Sequence, residues 1–361
     1  MSSVEVLGAT VSRDDRRLLD AVDLHVEDGE RLVLLGPSGA GKTLLLRCIA
    51  GLEALDAGQV LIGGHDVTGL GPRDRDIAMV NQLGSLQPHL DVRRNLGFPL
   101  RVRRYPREEI AARVDAEGRA FSIRRLFRRH PRSLSAGERH EVALAHSLVR
   151  RARVLLLDEP FATIDAPRRG HLVRRLIEVQ KGYAVTMILA TNDQRVAMGV
   201  AHRVAVVREG RIAQIGAPAD LHARPATEFV AGFLGSPPMN LLDGEVRRAT
   251  AGVEVRAGHL RIPSWSPPVS SLAGQRVTVG IRPDALTLAG DDSRFTLEGA
   301  VRHQEFLGSH VAVTIGGNGG MPVVALLERP GSQLGDRVRL AVDPAAVHLF
   351  DPGGDALVHG V

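Results

Sequence analysis

The chain has 361 residues, of which 44% are hydrophobic, 24% charged and only 3% aromatic, with a formal net charge of +5. At roughly 150 residues per domain, this length predicts two or three domains with enough apolar residues for packed cores. Cys48 is the only cysteine in the sequence, which excludes an internal disulfide and favours a reducing compartment.

The amino terminus lacks the charged and then apolar pattern of a signal sequence. No uninterrupted apolar run approaches the roughly 18 residues that a membrane-spanning helix needs. We therefore expect a chain that is neither exported nor inserted into a membrane.

The first predicted elements are a hairpin, a core strand and a helix. Residues 4–26 alternate apolar and polar side chains around turn-forming residues 12–15, which predicts a β-hairpin. The apolar run 31–35 predicts a buried strand, and residues 44–50 predict a helix that ends at Gly51. Between them, GPSGAGKT fits the phosphate-binding pattern G-x-x-x-x-G-K-[ST] in the strand, loop and helix order that the pattern requires.

This glycine-rich turn predicts a polyphosphate site. Glycines let backbone N–H groups point inward, and the start of the helix adds the positive end of its dipole. Lys42 would reach the β and γ phosphates, and the Thr43 hydroxyl would coordinate Mg²⁺. The predicted nucleotide-binding residues are Gly36, Pro37, Ser38, Gly39, Ala40, Gly41, Lys42 and Thr43, with Asp158 later in the chain.

The middle of the chain predicts a mostly helical insertion. Residues 58–67 predict a short strand and turn, and a further apolar strand ends at Gln82. Residues 88–132 then have helical spacing, with helix breaks expected at Pro99 and Pro106. Residues 86–153 hold 17 arginines against seven acidic residues. Nucleic acid is disfavoured as a partner because aromatic residues for base stacking are scarce. An anionic membrane face, an acidic partner loop or a solvated surface remain open.

A helix start follows in LSAGERHEVALAHSLVR. Ser135 and Glu138 have the spacing of a capping box, and the residues that follow supply an apolar face. The N–H groups and hydroxyl at such a start can also bind an anion, so an ordinary cap and a phosphate site are both compatible with these residues.

Two buried strands then deliver polar residues to one edge of the predicted sheet. The strand 154–157 ends in Asp158 and Glu159, and the strand 184–190 ends in Thr191, Asn192 and Asp193. Asp158 would hold Mg²⁺ through its water shell, whereas Glu159 would orient or deprotonate an attacking water.

Taken together, these segments resemble the ATP-binding subunit of an ABC transporter, and more closely the sugar-importer branch that carries a TOBE barrel. The matching motifs are GPSGAGKT for Walker A, Gln82 for the Q-loop, LSAGE for the signature, LLLDEP for Walker B, ATIDA for the D-loop and ATNDQ for the switch loop. FLGSPPMNLL, VGIRPDAL and VDPAAVHLFDP resemble the barrel.

The resemblance implies an α/β fold with a P-loop NTPase core and a helical subdomain, followed by an all-β OB-like (TOBE) barrel. The expected domains are residues 1–235, with the helical subdomain at about 86–153, and residues 236–361. The expected cofactors are ATP and Mg²⁺. The implied site residues are Glu159, Gln82 and Asn192 for catalysis, Thr43, Gln82 and Asp158 for the metal, and Asp165 in the D-loop.

The family also implies partners and a location. Two ATPase subunits, identical or related, would hold each ATP between one phosphate loop and the other subunit's Ser135, Gly137 and Glu138. The Gln82 region and the helical insertion would dock a cytoplasmic helix of the membrane permease, and an external solute-binding protein would deliver the cargo. We expect a peripheral protein on the cytoplasmic face of the membrane, with no nucleic-acid partner.

Three departures from the family pattern bear on activity. Ser12 stands where an aromatic residue would stack on adenine, Glu138 replaces the signature glutamine, and Asn192 replaces the switch histidine. Losing one preorganised donor costs about 10²- to 10³-fold in rate, so we expect slow hydrolysis. A slow importer ATPase, a degenerate nucleotide-gated subunit that pairs with a more active homologue, and a soluble ABC protein of repair or translation are the competing interpretations.

Overall fold

The computed structural model describes residues 2–80, 86–162, 164–250, 252–264, 266–291, 293, 295–316, 321–328 and 335–361. The chain divides into two compact units, Met1–Pro218 and Ala219–Val361. The predicted domain boundary between residues 235 and 236 lies further along the chain than this division and stays a prediction.

The first unit contains the predicted α/β core. Its strands are β1 (Val4–Arg13), β2 (Arg16–Val26), β3 (Arg31–Leu35), β4 (Ala57–Ile62), β5 (His65–Asp66), β6 (Ile77–Val80), β7 (Val154–Asp158), β8 (Thr186–Thr191), β9 (Arg203–Arg208) and β10 (Arg211–Gly216). Its helices are α1 (Lys42–Ala50), α2 (Val92–Val102), α3 (Arg107–Ala120), α4 (Ala136–Leu148), α5 (Ala166–Tyr183) and α6 (Gln194–Val200). The helix α7 (Pro218–Ala223) begins at its end.

The core sheet has the strand order β10-β9-β3-β8-β7-β6 among the described residues. All neighbouring pairs are parallel except β9 and β10. Every residue of β3, β7 and β8 is buried, as expected for parallel strands covered on both faces. The carboxyl ends of β3, β7 and β8 therefore meet at one edge, where open α/β sheets bind their ligands.

A second, antiparallel sheet with the order β2-β1-β4-β5 shares a core with α1. It contains the predicted hairpin, since β1 and β2 pair antiparallel from Val4 opposite Val26 to Arg13 opposite Arg16. The helix α1 buries Leu45 and Ile49 completely in this core, which stabilises the unit by about 1.5–3 kcal/mol for each side chain. It ends at Gly51, whose left-handed φ of 73° lets its N–H bond back to the last turn.

The helical insertion is present, but the break expected at Pro99 is wrong. The helix α2 continues through Pro99 to Val102. A proline inside a helix removes one hydrogen bond and clashes with the preceding turn, at a cost of about 3 kcal/mol. The full burial of Leu96 and Leu100 on either side of Pro99 offsets this cost. Pro106 does separate the helices, as the residue that precedes α3.

The strand predicted at 184–190 is β8, which begins at Thr186. Ala184 instead ends α5 in a left-handed conformation, with φ of 49°. Because its N–H donates to the last turn of α5, the chain enters the sheet two residues later than the apolar pattern indicates.

The second unit is all-β apart from short helices, as predicted. Its strands are β11 (Asn240–Arg248), β12 (Val253–Ala257), β13 (Leu260–Ser264), β14 (Arg276–Ile281), β15 (Leu286–Leu288), β16 (Thr296–Phe306), β17 (His310–Gly316), β18 (Val323–Glu328), β19 (Arg337–Val342), β20 (Val347–Phe350) and β21 (Ala356–His359). Its own helices are α8 (Glu228–Phe233) and α9 (Pro267–Ser270).

The strands of the second unit form two antiparallel sheets around one apolar core. Their orders among the described residues are β13-β12-β11-β14-β20-β21 and β15-β19-β16-β17-β18. The strands predicted at 276–280 and 310–315 are confirmed as β14 and β17. Across the described part of both units, no helix combines the length and apolarity needed to cross a membrane.

Candidate nucleotide-binding site

The predicted phosphate loop connects β3 to α1, and its backbone has little room or conformational tolerance for side chains at its glycine positions. A Cβ atom at Gly36 would lie 2.2 Å from the carbonyl oxygen of Val207 in β9, so the loop packs directly on the neighbouring strand. Gly39 and Gly41 have φ angles of 79° and 103°, a region that other residues seldom occupy. The loop residues from Gly36 to Thr43 therefore lie where the sequence places them, at the amino end of a helix.

The Lys42 side chain is buried across this loop. Its Nζ donates to the carbonyl oxygens of Gly36 at 2.8 Å and Pro37 at 2.9 Å. Burial lowers the pKa of Lys42, while the nearby charges of Glu159 and Asp158 act in the opposite direction. Both carboxylates therefore lie close enough to Lys42 for their charges to favour its protonated form.

Thr43 and Asp158 meet at the edge of the sheet. The Thr43 hydroxyl donates to Asp158 Oδ1 at 2.8 Å, although 115 residues separate the two in the sequence. Both supply hard oxygen ligands, which suit Mg²⁺. The described residues contain no cluster of three or more His, Cys, Asp or Glu side chains that could cage a metal alone. This donor set fits Mg²⁺, which usually takes one or two protein oxygens and completes its shell with water and substrate phosphates.

Glu159 follows directly and adopts a left-handed backbone, with φ of 46°. Its N–H donates to Ala190 O at 3.0 Å, and its carboxylate accepts from the Thr191 hydroxyl at 3.2 Å. Burial raises the pKa of Glu159, whereas Thr191, Lys42 and the backbone N–H of Asn192 lower it. A half-buried carboxylate held this way is a better proton acceptor than one in water.

Asn192 lies at the same edge, immediately after β8. Its side chain is exposed, and its backbone N–H donates to the Glu159 carboxylate. The next residue, Asp193, caps α6 by accepting from the N–H groups of Arg195 and Val196. The structure thus brings together Lys42, Thr43, Asp158, Glu159 and Asn192, whereas Gln82 lies outside the described residues and its role stays a prediction.

Arg169 on α5 is a residue of this site to which the sequence did not point. Its Nη1 pairs with Asp193, and its Nη2 donates to the carbonyl oxygen of Ile164 at 2.9 Å. Arg169 therefore ties the segment after β7 to the segment after β8. Asp165, the predicted D-loop residue, caps α5 by accepting from the N–H of Arg168 at 3.0 Å. Arg169 is one of 44 arginines in the sequence, and nothing in its local sequence distinguishes it from the others.

The predicted capping box is confirmed at the start of α4. The N–H of Glu138 donates to the Ser135 hydroxyl at 3.2 Å, and the Glu138 carboxylate accepts from the N–H of Ser135 at 3.0 Å. Beside it lies a concave surface of about 600 Å³. Ser135, Gly137 and Glu138 line it together with Arg125, Glu141 and two residues of α5, Arg168 and His171. None of its lining residues belongs to the phosphate loop of the same chain.

Comparisons with known proteins follow the same division. An ABC transporter family profile matches residues 19–162, a MalK OB fold profile matches residues 235–286 and a TOBE domain profile matches residues 279–350. The sn-glycerol-3-phosphate import ATP-binding protein of Chromobacterium violaceum is 40% identical over 341 residues, which cover 93% of this chain and 90% of the relative. The chain belongs to the ABC transporter ATP-binding subunits.

Another relative of this ABC ATP-binding subunit matches over almost its full length. The sulfoquinovosyl glycerol transport ATP-binding protein of Agrobacterium fabrum is 37% identical over 368 residues. The match covers 99% of this chain and 100% of the relative. Among solved structures, cbiO1 from Clostridium perfringens, part of the ABC transporter complex cbiONQ, superposes with a TM-score of 0.57 at 27% identity. That match covers 61% of this chain and 90% of cbiO1.

The ABC family membership confirms the resemblance read from the motifs, and with it the binding and hydrolysis of ATP. It gives no support to the alternative of a catalytically degenerate subunit. These similarities concern the whole chain and assign no roles to single residues.

Proposed function

We propose that this ABC subunit powers the import of a sugar or a related small solute by closing on ATP in a dimer and then hydrolysing it. One observation carries the proposal: Lys42, Thr43, Asp158 and Glu159, drawn from distant parts of the sequence, converge at the carboxyl edge of one parallel sheet. The full-length relatives with names that specify glycerol-3-phosphate import or sulfoquinovosyl glycerol transport support the solute class.

Each residue of the site has a distinct task in this proposal. The loop N–H groups and the Lys42 ammonium group bind the phosphates, and Thr43, Asp158 and Gln82 would hold Mg²⁺. The metal, when bound, supplies positive charge to the phosphate oxygens. Glu159 accepts a proton from the attacking water or orients it, and the Asn192 side chain offers one amide donor toward the reacting phosphate.

The same chain offers a surface for the membrane partner. A groove of about 800 Å³ lies between core residues near α1 and β6 and the helices α2 and α4. Its lining includes the apolar side chains of Leu52, Phe98 and Val102, which are 51%, 37% and 65% exposed. Apolar side chains in a groove are the usual receptor for an amphipathic helix. We assign this groove to a cytoplasmic helix of the permease.

The remaining expectations about assembly belong to the same proposal. A second ATPase subunit, identical or related, completes each nucleotide site with Ser135, Gly137 and Glu138, and Asp165 contacts it through the D-loop. The complex acts at the cytoplasmic face of the membrane, receives its solute from an external binding protein, and has no nucleic-acid partner.

An ATPase assay with the permease complex tests this function. The complex is expected to hydrolyse ATP with Mg²⁺, and Lys42→Ala is expected to abolish nucleotide binding. Val102→Glu is expected to reduce copurification with the permease, whereas Leu288→Glu, an equally simple change at an exposed apolar residue of the second unit, is the matched control. Hydrolysis that persists in Lys42→Ala would contradict the assignment of the phosphate loop.

A further inference from the structure

The start of α4 presents a chemical conflict that the family assignment does not resolve. In the proposed function, this helix start receives the phosphates of an ATP held by another subunit. Glu138 nevertheless places a carboxylate in the first turn, beside the Ser135 hydroxyl. An unpaired carboxylate near a polyphosphate would oppose binding, since two like charges a few ångströms apart repel strongly at a protein surface.

Two arginines of the preceding segment are bound to this carboxylate. Arg125 Nη1 donates to Glu138 Oε1 at 2.9 Å. Arg129 Nη1 donates to both carboxylate oxygens, at 3.4 and 3.2 Å. With the N–H of Ser135, which donates to Glu138 Oε2 at 3.0 Å, these contacts engage both oxygens of Glu138.

The exposure of the three side chains shows which charge faces outward. The Glu138 side chain is only 16% exposed, whereas Arg125 is 64% and Arg129 is 42% exposed. The pKa of Glu138 is held below its usual value, chiefly by the Ser135 N–H and then by the two arginines. The carboxylate is therefore ionised and paired, and the two guanidinium groups bound to it are more exposed than the carboxylate itself.

The concave surface beside the helix start has the same character. Arg125, Arg168 and His171 line it together with Ser135 and Gly137. Arg168 packs over Gly137, where an added Cβ atom would lie 3.1 Å from its Nη1. The other acidic group of the lining, Glu141, is half-buried, and burial raises the pKa of its carboxyl.

We propose that Arg125 and Arg129 are positioning residues that convert an acidic signature helix into a receiving site for the phosphates of ATP bound to a second copy or relative of this chain. They act by holding the Glu138 carboxylate in its capping geometry and cancelling its charge. This inference rests on the proposed function, because it assumes that the helix start faces a nucleotide in the assembled dimer.

ATP-driven dimerisation of the full-length protein tests the proposal, with Glu159→Gln as the common background to slow hydrolysis. The variants Arg125→Ala, Arg129→Ala and their combination are compared by the ATP concentration that gives half-maximal dimer, measured by light scattering. We expect the double variant to need about tenfold more ATP, because Glu138 is then an uncompensated anion. Arg128→Ala, at an exposed arginine of the same segment, is the matched control and should leave the value unchanged.

Rescue separates charge compensation from a general structural role. Adding Glu138→Gln to the double variant removes the anion but retains a side chain that can complete the capping box, so it should restore the original ATP dependence within about twofold. Arg129→Lys should also retain it, because the charge is kept. Thermal unfolding of each variant checks that the fold is intact.

Two results would overturn the inference. One is an unchanged ATP dependence in a folded double variant, and the other is a defect that Glu138→Gln does not correct. A failure of the proposed function would look different, since the chain with both arginines intact would then show no ATP-driven dimer at all.

Discussion

At the scale of single residues, the proposed base Glu159 and its neighbour Asn192 differ in how their side chains are held. The Glu159 carboxylate is fixed by Thr191 and by the Asn192 backbone, so its position does not depend on the Asn192 side chain. An asparagine amide can donate one hydrogen bond but carries no charge and cannot accept and pass on a proton. If Glu159 is the base, as we propose, it is held in place while the Asn192 side chain offers less stabilisation of the transition state than a histidine would.

Asn192→His is expected to raise the rate of ATP hydrolysis. A preorganised donor to the developing charge contributes on the order of 10²-fold or more, and the gain should appear in kcat rather than in ATP affinity. Steady-state kinetics of the permease complex measures it, with Asn192→Ala as the control that should be slower than the natural chain. No gain in a variant that binds ATP normally would show that hydrolysis is limited elsewhere.

A second residue-scale prediction concerns His146 on α4. Burial, followed by the charge of Arg150, lowers its pKa from 6.5 to about 4. In the unfolded chain the imidazole binds a proton near pH 6.5, whereas in the folded chain it does so only near pH 4. The free energy of unfolding therefore falls as the pH is lowered through this window, by up to about 1.4 kcal/mol per pH unit.

His146→Gln is expected to flatten that dependence between pH 6.5 and pH 5. Urea unfolding followed by far-ultraviolet circular dichroism, which reports mainly the helices of the first unit, measures the slope. The exposed His65 offers the matched variant His65→Gln, which should leave the slope unchanged. Equal slopes for His146→Gln and the natural chain would contradict an imidazole that stays neutral in the folded chain.

At the scale of elements, the phosphate loop depends on the strand beside it. Gly36 contacts the backbone of β9 so closely that its missing Cβ is a packing requirement rather than a matter of flexibility. Gly64, in a surface turn, has φ of 78° but open space around it. Alanine substitutions at these two glycines therefore distinguish the cost of close packing from the cost of a left-handed backbone.

Gly36→Ala is expected to destabilise the protein by about 3 kcal/mol, the upper end of the cost of overpacking, and to weaken nucleotide binding. Gly64→Ala should cost only about 1–2 kcal/mol, for the left-handed backbone, and leave binding intact. Denaturant unfolding and nucleotide titration measure both effects. If the two variants were equally stable and bound nucleotide equally well, the close contact with β9 would not be essential.

The elements that could be predicted from the sequence are those with a strong local signal. The buried strand before Gly36, the helix after it and the capping box at Ser135 were found because apolar runs, glycines and cap spacing act within a few residues. The continuous helix through Pro99 could not be predicted, since its stability comes from tertiary burial. The pairing of Arg125 and Arg129 with Glu138 was also missed, because an arginine-rich segment does not show which of its members meet one carboxylate.

At the scale of the whole molecule, the central claim is that two subunits complete the nucleotide site together. The phosphate loop and the start of α4 each lie exposed in the first unit, at Ser38 and Ala136 respectively. The concave surface at α4 contains no residue of the loop. In the proposed dimer, a nucleotide bound to the loop meets Ser135 and Gly137 of a neighbouring subunit.

Cross-linking between two variants that each carry one introduced cysteine tests this claim most directly. Cys48 is buried, and its thiol pKa is raised to about 11, so it should stay unreactive at neutral pH. Ser38→Cys and Ala136→Cys, each in the Glu159→Gln background, are mixed and treated with a short bifunctional thiol reagent. We predict a cross-linked dimer that forms with ATP and is lost in Lys42→Ala, whereas absence of the cross-link in every nucleotide state would contradict the account.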